Sequence, residues 1–292
     1  MVTVWPLSQG EIAGVRESFL EQLMTTPDSL VTTAESATSR SDYIRRMTRG
    51  GFPLVLARPE GAARNRWIDD YVNLVLERDV MELSRVRQRR ALPALLAALA
   101  SQSAQLLVMT NAARRSSLEP NTAENYTKLL EASFLVHRLP AWGTTLRART
   151  VTAPKIHMVD TGVSARLLRL TPEKLALRNP AALTELGHLL ENFVVNEILK
   201  QASWQSTPPG TGHFRTRDGA EVDLVLEFDD GRVVGVEVKA SGTVDSSDFA
   251  GLRALRKVAG SAFAVGVVLH LGSRSFSQEP DLFALPVDKL WS

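Results

Sequence analysis

The chain contains no cysteine, which excludes disulfides and cysteine-based zinc modules and fits a reducing compartment. It also contains no G-x-x-x-x-G-K-[ST] segment. The doubled glycine of Arg49-Gly50-Gly51-Phe52-Pro53 reads as a turn, so no ATP site of the P-loop kind is expected in this chain. No run of about eighteen apolar residues occurs, and no basic segment followed by an apolar stretch opens the sequence. A soluble cytoplasmic protein without a membrane partner is the expectation. Aromatic residues make up only 6%, and Trp67, Trp142, Trp204 and Trp291 are too scattered to build a platform for stacked bases. His137, His157, His188, His213 and His270 have no metal-ligand spacing, and no Ser-His-Asp pattern is readable.

What is present suffices for two domains: 292 residues, 44% of them hydrophobic, can bury two cores. Charge is unevenly placed. Residues 1–180 hold 24 Lys and Arg against 17 Asp and Glu, whereas residues 181–292 hold 10 against 15. A basic first part and an acidic second part suit nucleic acid held by one and a cation held by the other.

The acidic part centres on two segments of period two, Glu221 to Glu227 and Val233 to Lys239, which read as paired strands. If Asp229-Asp230-Gly231 is a three-residue loop with the glycine left-handed, Asp223 lies opposite Glu237 and Glu221 opposite Lys239. One face then carries those four charged groups. The other carries Val222, Leu224, Leu226, Val234, Val236 and Val238. Like charges so close raise one another's pKa, and a divalent cation relieves them. Asp223 and Glu237 are therefore the candidate ligands of Mg²⁺ or Mn²⁺, and Lys239 the group beside a water or phosphate. The plain alternative is an exposed hairpin with a Glu221–Lys239 cross-strand pair.

Around this hairpin the periodicity predicts a helix over 179–202, with Leu183, Leu186, Leu190, Phe193, Val194 and Ile198 as its stripe and Glu191 flanking it. A strand over 213–217, an Asp218-Gly219 turn, a helix over 246–258 and a buried strand over 262–270 complete the order. Glu191, Asp223 and Glu237-Val238-Lys239 on an αβββαβ order resemble the PD-(D/E)XK nuclease-like fold, with Val222 where the motif has proline. The resemblance implies Glu191, Asp223, Glu237 and Lys239 as catalytic residues. Glu197 shares the helix, and Glu191 is chosen over it.

Upstream, helices are predicted over 7–24, from 42 to the turn at 49–53, over 64–83, 92–100, 106–117 and 121–133, the last opened by a capping box of Asn121 and Glu124. Short strands over 134–139 and 155–159 flank a basic loop. Helices followed by such a wing make a winged helix-turn-helix, whose second helix would present Thr122, Glu124, Asn125 and Lys128 to DNA, with Arg114, Arg115, Arg147 and Arg149 on the phosphates. Glu119, Glu124 and Glu131 make that helix poorly basic, and protein docking is the alternative use.

Arg49-Gly50-Gly51-Phe52-Pro53, Arg78-Asp79-Val80, Asn121 to Leu130, Pro154-Lys155 with Asp160-Thr161-Gly162, and Glu191-Asn192-Phe193 together resemble the C-terminal part of prokaryotic AAA-family ATPases that end in a domain of unknown function. Leu54 and Val163 depart from the pattern where Glu and Leu are more frequent. This resemblance implies an α/β chain in three parts. They are a remnant of the ATPase lid over 1–60, a helical winged-helix domain over 61–178 and the nuclease-like domain over 179–292. The functional expectation is a DNA-binding protein with Mg²⁺-dependent phosphodiester cleavage and no ATPase activity of its own. The alternative is a non-catalytic nucleic-acid- or protein-binding module working with an AAA ATPase domain in trans or by self-association.

Overall fold

One helix organises the molecule, and its sequence explains why. In the computed structural model, which describes residues 4–80, 88–145 and 153–292 with the Asp79 side chain left aside, Pro180–Ser203 is a single helix of 24 residues. Asn179 caps it by accepting the Ala182 N–H, and Pro180 sits at the first position, where its missing N–H costs nothing. From Asn192 to Ala202 every residue is buried, so this stretch is enclosed on all sides. Leu186, Leu190, Phe193, Val194 and Ile198 belong to its core as expected. Leu183 does not: it is 41% exposed.

The sheet beside this helix has the order β4-β5-β6-β7-β9-β8, built from β4 (Gly210–Arg215), β5 (Glu221–Glu227), β6 (Val233–Lys239), β7 (Phe263–His270), β8 (Phe276–Glu279) and β9 (Leu282–Pro286). The first three strands are antiparallel neighbours, while β6–β7 and β7–β9 are parallel. The β5–β6 register pairs Leu224 with Val236 and Glu227 with Val233. Gly231 at φ 85° closes a three-residue loop inside the Phe228–Arg232 pair. The final strands β8 and β9 lie beyond the last strand expected, over 262–270.

The face assignment of β5 needs correction at one residue. Val222 and Val225 join one core with Leu252 and Leu255, whereas Leu224 and Leu226 join the other with Phe193 and Val194. Strict alternation would put Val222 with Leu224. The cause is a bulge: β4 pairs Gly212 with Val225 but Phe214 with Val222, so Asp223 and Leu224 together face His213. A helix, Ala250–Ala259, preceded by a 3-10 turn at Ser246–Phe249, covers the Val222 side. Its approach is close enough that a Cβ at Gly251 would come within 1.8 Å of the Glu221 carbonyl oxygen.

The first residues are part of this same core. The single helix expected over 7–24 is two, α1 (Gln9–Ala13) and α2 (Phe19–Thr25), because Gly14 at φ 70° ends the first in a left-handed cap. With α3 (Arg40–Arg49) they place Phe19, Leu20, Leu23, Tyr43 and Met47 against Leu186, Leu190 and Phe193. A third core lies between α4 (Pro53–Leu56), α5 (Ala62–Leu74), α6 (Leu92–Ala100), α7 (Met109–Arg115), α8 (Pro120–Ala132) and a small sheet of order β1-β3-β2, from β1 (Gln105–Leu106), β2 (Val136–Leu139) and β3 (Lys155–Met158). The helix expected to reach 83 continues past Leu74 as a π turn over Val75–Asp79, and residues 81–83 lie outside those described. Asn121 is not a cap: α8 starts one residue earlier, with Pro120 at its first position and Glu119 flanking it without a side-chain bond. Glu124 instead accepts two hydrogen bonds from Arg138, at 2.8 and 3.0 Å. After α9 (Thr161–Leu167) and α10 (Pro172–Ala176) the chain enters the long helix, α11, and the helix over Ala250–Ala259 is α12.

Candidate functional site

Glu191 stands midway along α11, Asp223 at the bulge of β5, and Glu237 and Lys239 at the end of β6; all four line one cleft of about 770 Å³. The bulge positions Asp223. Its Oδ2 accepts the Val238 N–H at 2.9 Å, taking over where the β5–β6 ladder stops at Leu224–Val236. Glu197, the competing acid on α11, is elsewhere: it accepts the Gln9 N–H at 2.7 Å and pairs with Lys200 at 2.6 Å.

At the centre of the carboxylates is a lysine that neither its strand nor its place in the Pro154-Lys155 pair marks as part of the site. Lys155, first residue of β3, reaches from the small sheet and places Nζ 2.6 Å from Glu191 Oε1, 2.7 Å from Glu221 Oε1 and 2.8 Å from Asp223 Oδ1. It is 2% exposed. The Glu221–Lys239 pair of the plain alternative is absent among the ion pairs of the described residues. Glu221 turns to Lys155 and to Arg215, at 3.1 Å, and Lys239 pairs with Glu237 at 2.8 Å, with Asp248 4.0 Å away. No spacing rule could have linked a lysine at a strand start to acids 36 to 68 residues further on.

Burial dominates the electrostatics. It raises the Glu191 carboxyl well above the ordinary range, helped by the charge of Asp223, and together with Asp223 it pushes Glu237 up to about 8. Burial opposes the charge on Lys155, yet Asp223, Glu191 and Glu221 outweigh it and raise that ammonium's pKa. Lys239 is likewise raised, burial again opposing and Glu237 prevailing. With Glu191 and Glu237 protonated, the carboxyls of Glu191, Glu221, Asp223 and Glu237 balance the two ammoniums of Lys155 and Lys239. With both ionised, the cluster carries the excess negative charge that one divalent cation cancels.

The donor set suits a hard cation: carboxylate oxygens only, one of which, Glu237 Oε2, is buried without a hydrogen-bond partner among the described residues. Glu237 is 8% exposed. Yet no group of three or more acidic or histidine side chains among the described residues is arranged as a ready cage, since Lys155 fills the space between three of them. His188, one turn before Glu191, lines the same cleft with its Nδ1 3.3 Å from Gln105 Nε2.

The residues expected to meet nucleic acid lie on the helical part. Arg114, Arg115, Asn125 and Lys128 are exposed and Thr122 is half-buried. Arg115 donates to Ser101 Oγ at 2.7 Å and Arg114 to Asn111 Oδ1 at 3.3 Å. Lys128 is 3.8 Å from Glu124. Arg147 and Arg149 lie outside the described residues.

Residues 40–174 match a family described as Domain of unknown function (DUF8612), and residues 186–290 one described as Domain of unknown function (DUF4143), which is found in AAA-ATPase-associated C-terminal regions. The chain is 29% identical over 244 residues to Uncharacterized protein Rv2008c of Mycobacterium tuberculosis and to Uncharacterized protein Mb2031c of Mycobacterium bovis. The match takes in 83% of this chain and 52% of each relative, so the chain spans about half the length of the curated relatives it matches. Among solved structures, a Thermococcus gammatolerans assembly of McrB AAA+ hexamers with bound McrC overlaps 67% of this chain and 46% of its own, at 13% identity and a TM-score of 0.27. Protein VC1899 from Vibrio cholerae overlaps 87% and 59%, at 14% identity and a TM-score of 0.27. Overlaps that low decide neither fold nor function. Among the described residues no helix is long and apolar enough to cross a membrane.

Proposed function

We propose that the cleft is a divalent-cation site for phosphodiester cleavage of DNA, carried by a nuclease-like αβββαβ domain over 179–292. The observation that carries this reading is the meeting of Glu191, Asp223, Glu237 and Lys239 around one cleft, with Glu237 Oε2 buried and unpartnered among the described residues. Asp223 and Glu237 are the ligands, Glu191 is an outer carboxylate, and Lys239 stands where it can orient a water or hold charge on a phosphate. Mg²⁺ or Mn²⁺, when bound, supplies a more acidic water and offsets charge on the phosphate. Lys155 keeps the carboxylates gathered until a cation competes for them, so its ammonium must give up at least part of its contacts when the site is loaded.

In the same reading, the order helix α6, strand β1, helices α7 and α8, strands β2 and β3 is a winged helix over 61–178. Thr122, Asn125 and Lys128 on α8 and Arg114 and Arg115 on α7 supply its DNA-facing groups, with Arg147 and Arg149, outside the described residues, assigned to the same role from the sequence. The first 60 residues then correspond to the lid of an AAA-type ATPase, and the protein is cytoplasmic.

A second reading has one observation in its favour: an ammonium already occupies the centre of the carboxylate group. In it the chain is a non-catalytic module that binds nucleic acid or protein and works with an AAA ATPase domain in trans. Titration calorimetry with Mn²⁺, alongside a DNA-cleavage assay, separates the two. The nuclease reading expects binding and cleavage that Asp223→Asn and Lys239→Ala abolish. Cleavage that persists in the double variant, or an unaltered heat of Mn²⁺ binding in Asp223→Asn, overturns it.

A further inference from the structure

A second cleft, of about 780 Å³, adjoins the first through Lys239, which lines both. Its polar side is cationic: Arg40 and Arg178 line it with Lys239, beside Leu183 and the Ser241-Gly242 backbone. Arg40 is the anomaly. Its Nε and one Nη are buried with no hydrogen-bond partner among the described residues. Arg40 is half-buried, so these two nitrogens give up water without gaining a hydrogen bond in return, a cost confined to part of the guanidinium. Burial lowers its pKa, and the charge of Arg178 lowers it further; no carboxylate offsets either effect.

Position adds to the cost. Arg40 is the first residue of α3, and Arg178 immediately precedes Asn179, the cap of α11. Both cations therefore sit at the positive ends of helices, where the macrodipole favours anions. Each helix end is already capped by a side chain, since Ser39 accepts the Asp42 N–H and Asn179 the Ala182 N–H. The unmet demand is thus that of the Arg40 guanidinium, with the exposed Arg178 beside it, and the planar forks of the two fit the oxygens of a phosphate.

We infer that Arg40 and Arg178 form a phosphate seat for a nucleic-acid backbone, one that holds a phosphodiester beside the group reached by Lys239. This deepens the nuclease reading and rests on it for the identity of the ligand as a strand; the seat itself rests on the arginines. Leu183, left exposed at the rim, gives the strand an apolar edge. A strand running from this seat past Lys239 enters the carboxylate cleft directly, so the molecule needs no rearrangement of its helices to connect binding with chemistry.

The test uses the full chain with Arg40→Gln, Arg178→Gln, the double variant, and the double Arg→Lys variant. Probes are inorganic sulfate, followed by thermal shift, and short single-stranded and duplex DNA, followed by anisotropy over a salt series. Sulfate should raise the melting midpoint of the unaltered protein and not that of the double Gln variant. DNA affinity should fall several-fold for each single Gln variant. The slope of log affinity against log salt should shrink by about 1.5 for the pair. The double Lys variant should recover most of that slope but not the affinity lost with the forked bonds. Because Arg178 is exposed, Arg178→Gln keeps the fold and carries the test even if Arg40→Gln unfolds.

An unchanged salt slope in the double Gln variant overturns the inference. Stabilisation by sulfate without any change in DNA binding also overturns it, because the seat would then serve free oxyanions. If the Gln variants lose DNA while Asp223→Asn leaves Mn²⁺ binding untouched, the seat stands and the cleavage reading fails. If Asp223→Asn abolishes cleavage and the Gln variants cut and bind as before, the reverse holds.

Discussion

Lys155 sets the chemistry of the cleft at the scale of single residues. Removing one partner of a buried, multiply bonded ion cluster costs about 3–5 kcal/mol, because the remaining charges stay buried without relief. Lys155→Met, which keeps length and removes charge, should therefore lower unfolding free energy by about that amount in urea titrations. The pH dependence has a definite sign. Glu237 binds its proton more tightly folded, at about 8, than unfolded, at the ordinary 4.5. Its contribution is therefore fully present below 4.5 and is lost as pH rises through about 8. Without the Lys155 ammonium, the proton affinity of Glu191 and Glu237 rises further, so Lys155→Met should lose more stability at pH 8 than at pH 5. A variant equally destabilised at both pH values contradicts this account. Cation affinity has the opposite slope. Glu237 must shed its proton to become a ligand, so Mn²⁺ binding should strengthen up to tenfold per pH unit below about 8 and level off above it. Calorimetry across that range gives the comparison.

Among the elements, α11 bears the largest share of the organisation. Its buried stretch includes two asparagines on the side facing β3, and each is fully used. Asn192 accepts from Ser103 Oγ and the Met158 N–H and donates to the Met158 carbonyl. Asn196 donates to the carbonyls of Met158 and Val159 and meets His137 Nε2 at 2.9 Å. These bonds fix the strand that delivers Lys155. Asn196→Leu would take the side-chain partner from the Val159 carbonyl and from His137 Nε2, while the Met158 carbonyl keeps Asn192, at about 1–3 kcal/mol for each group left unsatisfied. The expected result is a lower urea midpoint and faster exchange of the β3 amide protons. An Asn196→Leu protein as stable as the parent would mean that the polar seam contributes nothing.

Taken whole, the molecule has two principal cores with α11 between them, and the N-terminal helices are part of the α11 core rather than an appendage to it. Phe19, Leu20, Leu23, Tyr43 and Met47 cover apolar surface that would otherwise face water. Deleting residues 1–50 should leave a protein that aggregates or binds apolar dyes, whereas the parent unfolds in one transition. A soluble, cooperatively folded deletion protein would show that the C-terminal part completes its core alone. The basic and acidic parts of the chain meet at the same place, where Lys155 from the one enters the acids of the other. Charge separation along the sequence has become charge pairing in space.

Local chemistry alone determined the hairpin that holds Asp223 and Glu237: period-two alternation and a left-handed Gly231 set the register before any partner strand is considered. The extent of α11 was equally local, with an asparagine cap, a proline at the first turn and apolar spacing over 24 residues. Three features were decided only by tertiary structure, because each depends on a neighbour distant in sequence. The bulge that moves Val222 to the other face requires β4 alongside, the exposure of Leu183 depends on how the rest of the chain packs around α11, and the ion cluster requires β3 to lie across α11. Sequence periodicity encodes which side of an element is apolar. It does not encode which far-off lysine will find three carboxylates waiting.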